Sequence, residues 1–375
     1  MVSNLRRYGF TFAMISFFIL LMLISISYHS IFAQTSSQLL YVSTLKNKIE
    51  STCQRETETK KIAWSEDFRI TFDLENATIW NNIAVDLSGN IHIIWEHMNS
   101  SMNGRREIRY AKIDNGNLLI EKTLTTATIG NWLEPSLAID ANGNIHVVCR
   151  GTHGGHYIYY LKLNNAGTII IGPKKISPRS AVAPSVAVDN SGNVYVVWHQ
   201  CFASSPPYGH DVVWRKLGND GNFLTEMKRI GVAEWTRCAR IVVDSNNNSH
   251  IVWVDGDNQQ GEFYVDSAHE IFYKKLDDSG NNLTEDILVV NYTGEIREGY
   301  YAGPRAYIGS IALDSDNNLH IIWEEERDHI FYYKKISSNG AFLTNDIIVL
   351  NCSYPLIPLQ PNFALDSLDR IHLVW

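Results

Sequence analysis

The chain has 375 residues, 45% of them hydrophobic, and a formal net charge of −8. This length and apolar content suit one large domain or two ordinary ones with a substantial core. The mild acidity excludes a basic nucleic-acid footprint, and no zinc-type cysteine spacing, phosphate loop or HExxH motif is present.

Arg6 and Arg7 precede an uncharged run from Phe10 to about Ser27. A short basic segment followed by an apolar one reads as an export signal, and this run is also close to the length that spans a bilayer as a hydrophobic helix. Ala33 suits the position before a cleavage point, while Ile31 is bulkier than the residue usual two places upstream. Residues 1–33 are therefore a cleaved signal or a retained N-terminal anchor, residues 34–63 a linker, and 64–375 the folded domain. Either reading puts the domain outside the cytoplasm, secreted or at the cell surface. Sequons at Asn76, Asn99, Asn247, Asn282, Asn291 and Asn351 agree with this. The five cysteines (Cys53, Cys149, Cys201, Cys238, Cys352) form no dense disulfide framework.

From residue 82 onward one phrase recurs. "DNSGNVYVVW" at 189–198 has copies such as "DANGNIHVVC" at 140–149 and "DSDNNLHIIW" at 314–323. Its aspartates are Asp86, Asp140, Asp189, Asp244, Asp314 and Asp366, a period of roughly 50 residues. Each unit reads as four strands. The first ends in the aspartate, as in "SVAVD", and a Gly/Asn turn that tolerates positive φ leads to a β-branched second strand. A variable loop leads to a third strand such as "IYYLKL" or "IFYKKL". After a second Gly/Asn turn comes a fourth strand, as in "LTEDILVV" at 283–290. Four antiparallel strands at this period describe a β-propeller blade, with repeats starting near 82, 136, 185, 240, 310 and 362. The expected fold is all-β, a six-bladed propeller with five complete blades.

The repeated side chains read as structural. His92, His146, His250, His320 and His372 share one position, which Tyr195 fills in the third unit. A tyrosine in that place fits hydrogen bonding between blades, not metal ligation. The aspartates read as turn formers and the tryptophans as packing, since Cys149 replaces one.

"WSEDFRIT" at 64–71 aligns with the fourth strand at 283–290, while the phrase ending at Trp375 supplies a first and second strand. A strand from one end of the chain completing a blade begun at the other would remove two exposed edges. The missing third strand is expected either from a natural chain that continues past Trp375 or from "LLYVSTL" at 39–45.

The phrase x-A-x-D-x-x-G-N-x-x-V resembles the NHL-type and related propeller repeats of secreted proteins, over about residues 64–375. It departs from them in carrying Trp after the second strand. "FRIT" at 68–71 is similar to the F-R-I-P signature of the six-bladed sialidases, with Thr71 in place of proline. The sialidase Asp-box spacing is not met.

Alternating strand direction puts both short turns on one face and all the variable loops on the other, where binding usually resides. Ligand-holding candidates there are Arg179, Trp235, Arg237, Arg240, Arg305, His153 and His210, with His156 in the same loop as His153. Aromatics would stack on sugars or fill a protein hot spot, and Arg or His would hydrogen-bond. The expected function is an extracellular binding module for a glycan or surface protein, monomeric, touching membrane only through its N-terminal segment. The alternative is a glycosidase or lyase. In it Arg179, Arg237 and Arg305 clamp a carboxylate. Glu298 with Tyr300 and Tyr301 would then supply base and nucleophile, as resemblance to tyrosine-nucleophile sialidases implies. Cys201 and Cys238 fall in neighbouring loops and are a candidate disulfide. No cofactor is implied. The acidic loop at Asp255 and Asp257 leaves room for Ca2+, although its spacing matches no EF-hand.

Overall fold

The computed structural model describes strands at 18–22, 41–45 and 67–69, and then residues 81–99, 101, 103–126, 130–202, 210–231, 237–256, 268–292, 296–297, 300–301, 306–325, 329–351, 362–365 and 369–374. All named elements are strands. Of the apolar run at 10–27, only Phe18–Met22 is described, and the helix expected there lies otherwise outside the described residues. No helix among the described residues is long and apolar enough to cross a membrane.

Strands β1 (Phe18–Met22), β2 (Tyr41–Leu45) and β3 (Asp67–Arg69) form one antiparallel sheet. Blade 1 is β4 (Asn81–Val85), β5 (Ile91–Asn99), β6 (Arg105–Asp114) and β7 (Asn117–Thr123). Blade 2 is β8 (Trp132–Ile139), β9 (Ile145–Gly151), β10 (Tyr157–Leu163) and β11 (Ile169–Lys175). Blade 3 is β12 (Ala181–Val188), β13 (Val194–Cys201), β14 (His210–Leu217) and β15 (Lys228–Gly231). Blade 4 is β16 (Arg237–Val243), β17 (Ser249–Gly256), β18 (Ala268–Leu276) and β19 (Ile287–Asn291). A short ribbon, β20 (Ile296–Arg297) with β21 (Tyr300–Tyr301), leads to blade 5: β22 (Ala306–Leu313), β23 (Leu319–Glu325), β24 (Ile330–Ile336) and β25 (Ile347–Asn351). β26 (Asn362–Leu365) and β27 (Ile371–Val374) form a two-stranded antiparallel sheet, with β26 beside β22 of blade 5. The molecule is thus an all-β propeller with five complete four-stranded blades. In the N-terminal sheet β2 pairs with β3, Tyr41 opposite Arg69. β1 takes the other edge of β2.

First strands of successive blades lie side by side, β4 on β8, β8 on β12, β12 on β16, β16 on β22 and β22 on β26, so they are innermost. The core is divided into layers between blades. Ile94, Ile108 and Tyr110 of blade 1 meet Leu137, Val147 and Cys149 of blade 2, and equivalent layers join blades 2 and 3, 3 and 4, and 4 and 5. Each fully buried Val, Leu or Ile in such a layer contributes about 1.5–3 kcal/mol.

The repeated phrase builds one hairpin network per blade. Asp86 Oδ1 accepts the N–H groups of Ser88 and Asn90, both at 2.9 Å, and Oδ2 accepts the Asn90 side-chain amide at 2.7 Å. Asp140, Asp189, Asp244 and Asp314 repeat the pattern. The turn residue three places after each aspartate has positive φ: Gly89, Gly143, Gly192, Asn247, Asn317 and Asp369. Glycine pays no Cβ penalty there, and Asn and Asp tolerate it best among the rest.

His146 Nε2 lies 3.1 Å from Asp140 Oδ2 and its Nδ1 lies 2.9 Å from the Tyr160 hydroxyl. Beside a carboxylate the imidazole donates from Nε2 and accepts the tyrosine proton at Nδ1. His92, His250 and His320 do the same with Tyr110, Tyr273 and Tyr333. In blade 3, Tyr195 donates to Asp189 and the tyrosine is replaced by Trp214, whose Nε1–H donates to Ser249 Oγ of blade 4 at 3.0 Å. Ser249 stands where the other blades carry Ile91, Ile145, Val194 and Leu319. A lysine of the third strand then ties each blade to the next: Lys162 to the Asn219 carbonyl at 3.1 Å and Lys275 to the Ser338 carbonyl at 3.1 Å. Burial alone would raise the Asp86 carboxyl. Hydrogen bonds from Asn90, His92 and the backbone outweigh it and hold Asp86 at about 2.

Candidate functional site

The variable-loop face of blades 1 to 3 carries a connected set of ionisable side chains. It is built on β-bulges in the innermost strands. The β8–β9 register shifts between Leu133 and Ser136, β12–β13 between Val182 and Ser185, and β16–β17 between Arg237 and Arg240. Each bulge holds a non-glycine residue at positive φ: Glu134 at 53°, Ala183 at 50° and Cys238 at 57°. Proline follows the first two, as Pro135 and Pro184, and its missing N–H is tolerated at a bulge. The observed first strands of blades 2 to 5 therefore begin three or four residues before the repeat phrase marks them.

A bulge turns a backbone N–H out of its own ladder, and here the preceding blade accepts it. Glu96, directly after Trp95 within β5, accepts the Glu134 N–H through Oε1 at 2.7 Å, while its Oε2 lies 3.1 Å from Arg106 Nη1. His199, directly after Trp198, accepts the Ala239 N–H at Nε2, 3.0 Å. In blade 2 the same position is Arg150, which has no acceptor. Glu134 substitutes: its Oε2 accepts the Ala183 N–H at 2.7 Å, and its Oε1 lies 2.6 Å from Arg150 Nη2. Glu96 is 1% exposed. Burial pushes its carboxyl up to about 7 against the Glu134 N–H bond and Arg106, with the Glu134 carboxylate adding to the rise.

Around these links stand groups open to solvent. Arg150 Nη1 lies 3.3 Å from His156 Nδ1. Burial, then Arg150 and Arg179, lower the affinity of His156 for a proton. The His153 ring lies 4.8 Å from that of Trp132, which meets Tyr159 edge-on at 4.9 Å. Lys175 sits 4.4 Å over the Tyr157 ring. Arg179 lies in the loop between β11 and β12, exposed, against Gly155 of the β9–β10 loop.

The structure brings Arg179 and His156 together and puts His153 on the same β9–β10 loop. Arg240 is on β16, where its Nη1 lies 3.3 Å from the Ala239 carbonyl. Arg237 opens β16 opposite Val254 and His210 opens β14 opposite Cys201, but their side chains lie outside the described residues. So do those of Tyr300 and Tyr301, which form β21. Trp235, Arg305, Glu298 and Asp257 lie outside the described residues altogether, and Asp255 is on β17. Cys201 ends β13 and Cys238 is the second residue of β16, on neighbouring blades, both half-buried. Among the described residues no three His, Cys, Asp or Glu side chains gather as a metal site.

Glu96, Arg106, Glu134 and Arg150 were not legible from the repeat phrase. The signal lay one residue beyond it: the position after the second-strand Trp or Cys is Glu96, Arg150, His199, Val254 and Glu324 in the five blades, ionisable in four.

No family model matches the chain, and no curated protein does. Solved structures share its fold. An ulvan lyase, described as a new family of polysaccharide lyase, has 14% identity and a TM-score of 0.52, covering 84% of this chain and 79% of its own. The ulvan lyase bound to a unit of glucuronic acid and sulfated rhamnose gives 13% identity and the same TM-score of 0.52. A protein of unknown function from Dyadobacter fermentans has 10% identity and a TM-score of 0.51, covering 74% of this chain and 84% of its own. At these identities the likeness is one of fold: the β-propeller is shared, and no match assigns the chain to the NHL-type or sialidase families.

Proposed function

We propose that the chain is an extracellular or cell-surface propeller that holds a glycan on its variable-loop face. The observation that carries this is the set of exposed and half-buried Arg, His and aromatic side chains on blades 2 and 3: Arg150, His153, His156 and Arg179 beside Tyr157. Aromatic rings offer flat apolar faces to sugar rings, and guanidinium and imidazole groups donate to sugar oxygens. An ulvan lyase of the same fold, solved with an acidic saccharide, supports the glycan class. The apolar run at 10–27 behind Arg6 and Arg7 supports export. Binding of the full chain to an array of neutral, uronate-bearing and sulfated glycans tests the reading, with surface proteins as a second array. Hits on glycans that weaken in His153→Ala and Trp235→Ala are expected. A blank glycan array would overturn the reading, and hits on proteins alone would replace it.

The second reading is an enzyme acting on the same glycan, favoured by the polysaccharide lyase of like fold. Incubation with uronate polysaccharides would then release shorter chains with unsaturated ends, detected by their ultraviolet absorbance. Unchanged chain length after prolonged incubation would leave binding alone.

A further inference from the structure

We infer that the β9–β10 loop and Arg179 form an oxyanion subsite that takes the carboxylate or sulfate group of an acidic sugar. This rests on the glycan reading and specifies the chemistry of the ligand. An arginine always donates, so the 3.3 Å contact from Arg150 Nη1 makes His156 Nδ1 an acceptor. The neutral ring therefore carries its proton on Nε2. Burial, then Arg150 and Arg179, lower the affinity of the ring for a proton against the pull of the Glu134 carboxylate. Arg150 is itself committed, since Glu134 holds its Nη2 at 2.6 Å. The loop thus offers a fixed N–H donor at His156 Nε2, and no free base there.

Arg179 supplies the charge. The main chain beside it is fastened: Gln200, a buried side chain, donates from Nε2 to the Arg179 carbonyl at 2.6 Å, and the Cys201 N–H donates to the Ser180 carbonyl at 2.9 Å. The Ala181 N–H donates to the His156 carbonyl at 3.1 Å, locking the Arg179 loop to the β9–β10 loop. The Arg179 stem lies on Gly155, where a Cβ would come within 3.0 Å of its Cγ and Nε. No carboxylate among the described residues pairs with its guanidinium. A positioned, exposed arginine that no described carboxylate pairs, beside an imidazole N–H, presents donors toward solvent. Those donors recognise an anionic oxygen group, and charge-assisted bonds of this kind are about twice as strong as neutral ones.

The test is calorimetric binding by the full chain of three probes: a glucuronate oligosaccharide, its carboxyl-reduced neutral counterpart, and a sulfated oligosaccharide. Wild type is expected to favour at least one acidic probe over the neutral one by about tenfold or more. Carboxylate and sulfate are told apart by which probe gains. Arg179→Gln should abolish the preference by weakening the acidic probe about tenfold or more and the neutral probe by much less. Gly155→Ala, whose Cβ displaces Arg179, should do the same. His156→Gln, which keeps an N–H donor, should retain more of the preference than His156→Ala. Equal affinity for acidic and neutral probes, or equal weakening of both in Arg179→Gln, would overturn the subsite. If no oligosaccharide binds, the glycan reading fails separately. Titrating free glucuronate and inorganic sulfate while observing the His156 ring nitrogens by NMR then decides the subsite. A saturable shift lost in Arg179→Gln supports it, and no shift ends it.

Discussion

Glu96 of blade 1 accepts the backbone N–H of Glu134 of blade 2 at 2.7 Å, and the side chain of Glu134 accepts the backbone N–H of Ala183 of blade 3 at 2.7 Å. One residue is thus both the tethered group and the tether. Three blades are joined at the mouth of the loop face through backbone groups that the bulges would otherwise leave unsatisfied, and an unsatisfied buried N–H costs about 1–3 kcal/mol.

The tether gives Glu96 a pH signature. Its folded carboxyl is raised from 4.5 to about 7, so the folded state holds the proton more tightly than the unfolded chain. The stabilisation from this group is full below 4.5 and is lost as pH rises through about 7. Glu96→Gln keeps an acceptor for the Glu134 N–H and cannot titrate. Urea midpoints measured across that window are expected to fall less with rising pH in the variant than in wild type. Parallel curves would disprove the assignment.

Removing Glu134 breaks more. Glu134→Ala leaves the Ala183 N–H without its acceptor and Arg150 without its carboxylate, in a pair whose side chains are 16% and 18% exposed. A loss of about 3 kcal/mol is expected from breaking a mostly buried pair. Glu134→Gln should cost less, because the acceptor remains. Chemical denaturation compares the two; equal losses would mean that the bond to Ala183 contributes nothing.

Trp214 and Ser249 make a pairwise prediction. Ser249→Ala strands the fully buried Trp214 Nε1–H, for about 1–3 kcal/mol. In a Trp214→Phe background no donor is stranded and the same change should be nearly neutral. The coupling energy of the double-mutant cycle is the measurement, and a value near zero would refute the interaction.

His146 supplies the acid limb. Burial pushes it from 6.5 down to about 4, against the pull of Asp140. Here the unfolded chain takes up the proton first, so stability is present above 6.5 and is lost as pH falls toward about 4. His92, His250 and His320 are lowered for the same first reason, burial. His146→Tyr combined with Tyr160→Phe puts a hydroxyl toward Asp140 as Tyr195 does toward Asp189, strands no tyrosine hydroxyl, and removes one titrating histidine. It should flatten the fall in unfolding free energy between those two values. An unchanged slope would place the acid sensitivity elsewhere.

The repeat made the architecture legible. Aspartate, Gly or Asn at positive φ, and a β-branched second strand are local requirements of a hairpin, so they must appear in every unit and can be counted. The same comparison marked His146 and its counterparts as structural, because Tyr195 can do their work with Asp189. The loop face was legible only as a region. Arg179, His153 and His156 were visible as residue types, but nothing local says that Arg179, in the loop joining blades 2 and 3, lies on Gly155 of the β9–β10 loop.

The sequence by itself determined the blade, because a blade's hydrogen bonds close within about fifty residues, the length of its own repeat. Tertiary structure alone decided which residues meet between blades. Glu96 reaches Glu134 across 38 positions, Glu134 reaches Ala183 across 49, and Trp214 reaches Ser249 across 35. These contacts depend on how one bulged strand turns a single N–H toward its neighbour. That direction is set by the packing of two sheets, and it leaves only a glutamate one place past the end of a repeated phrase.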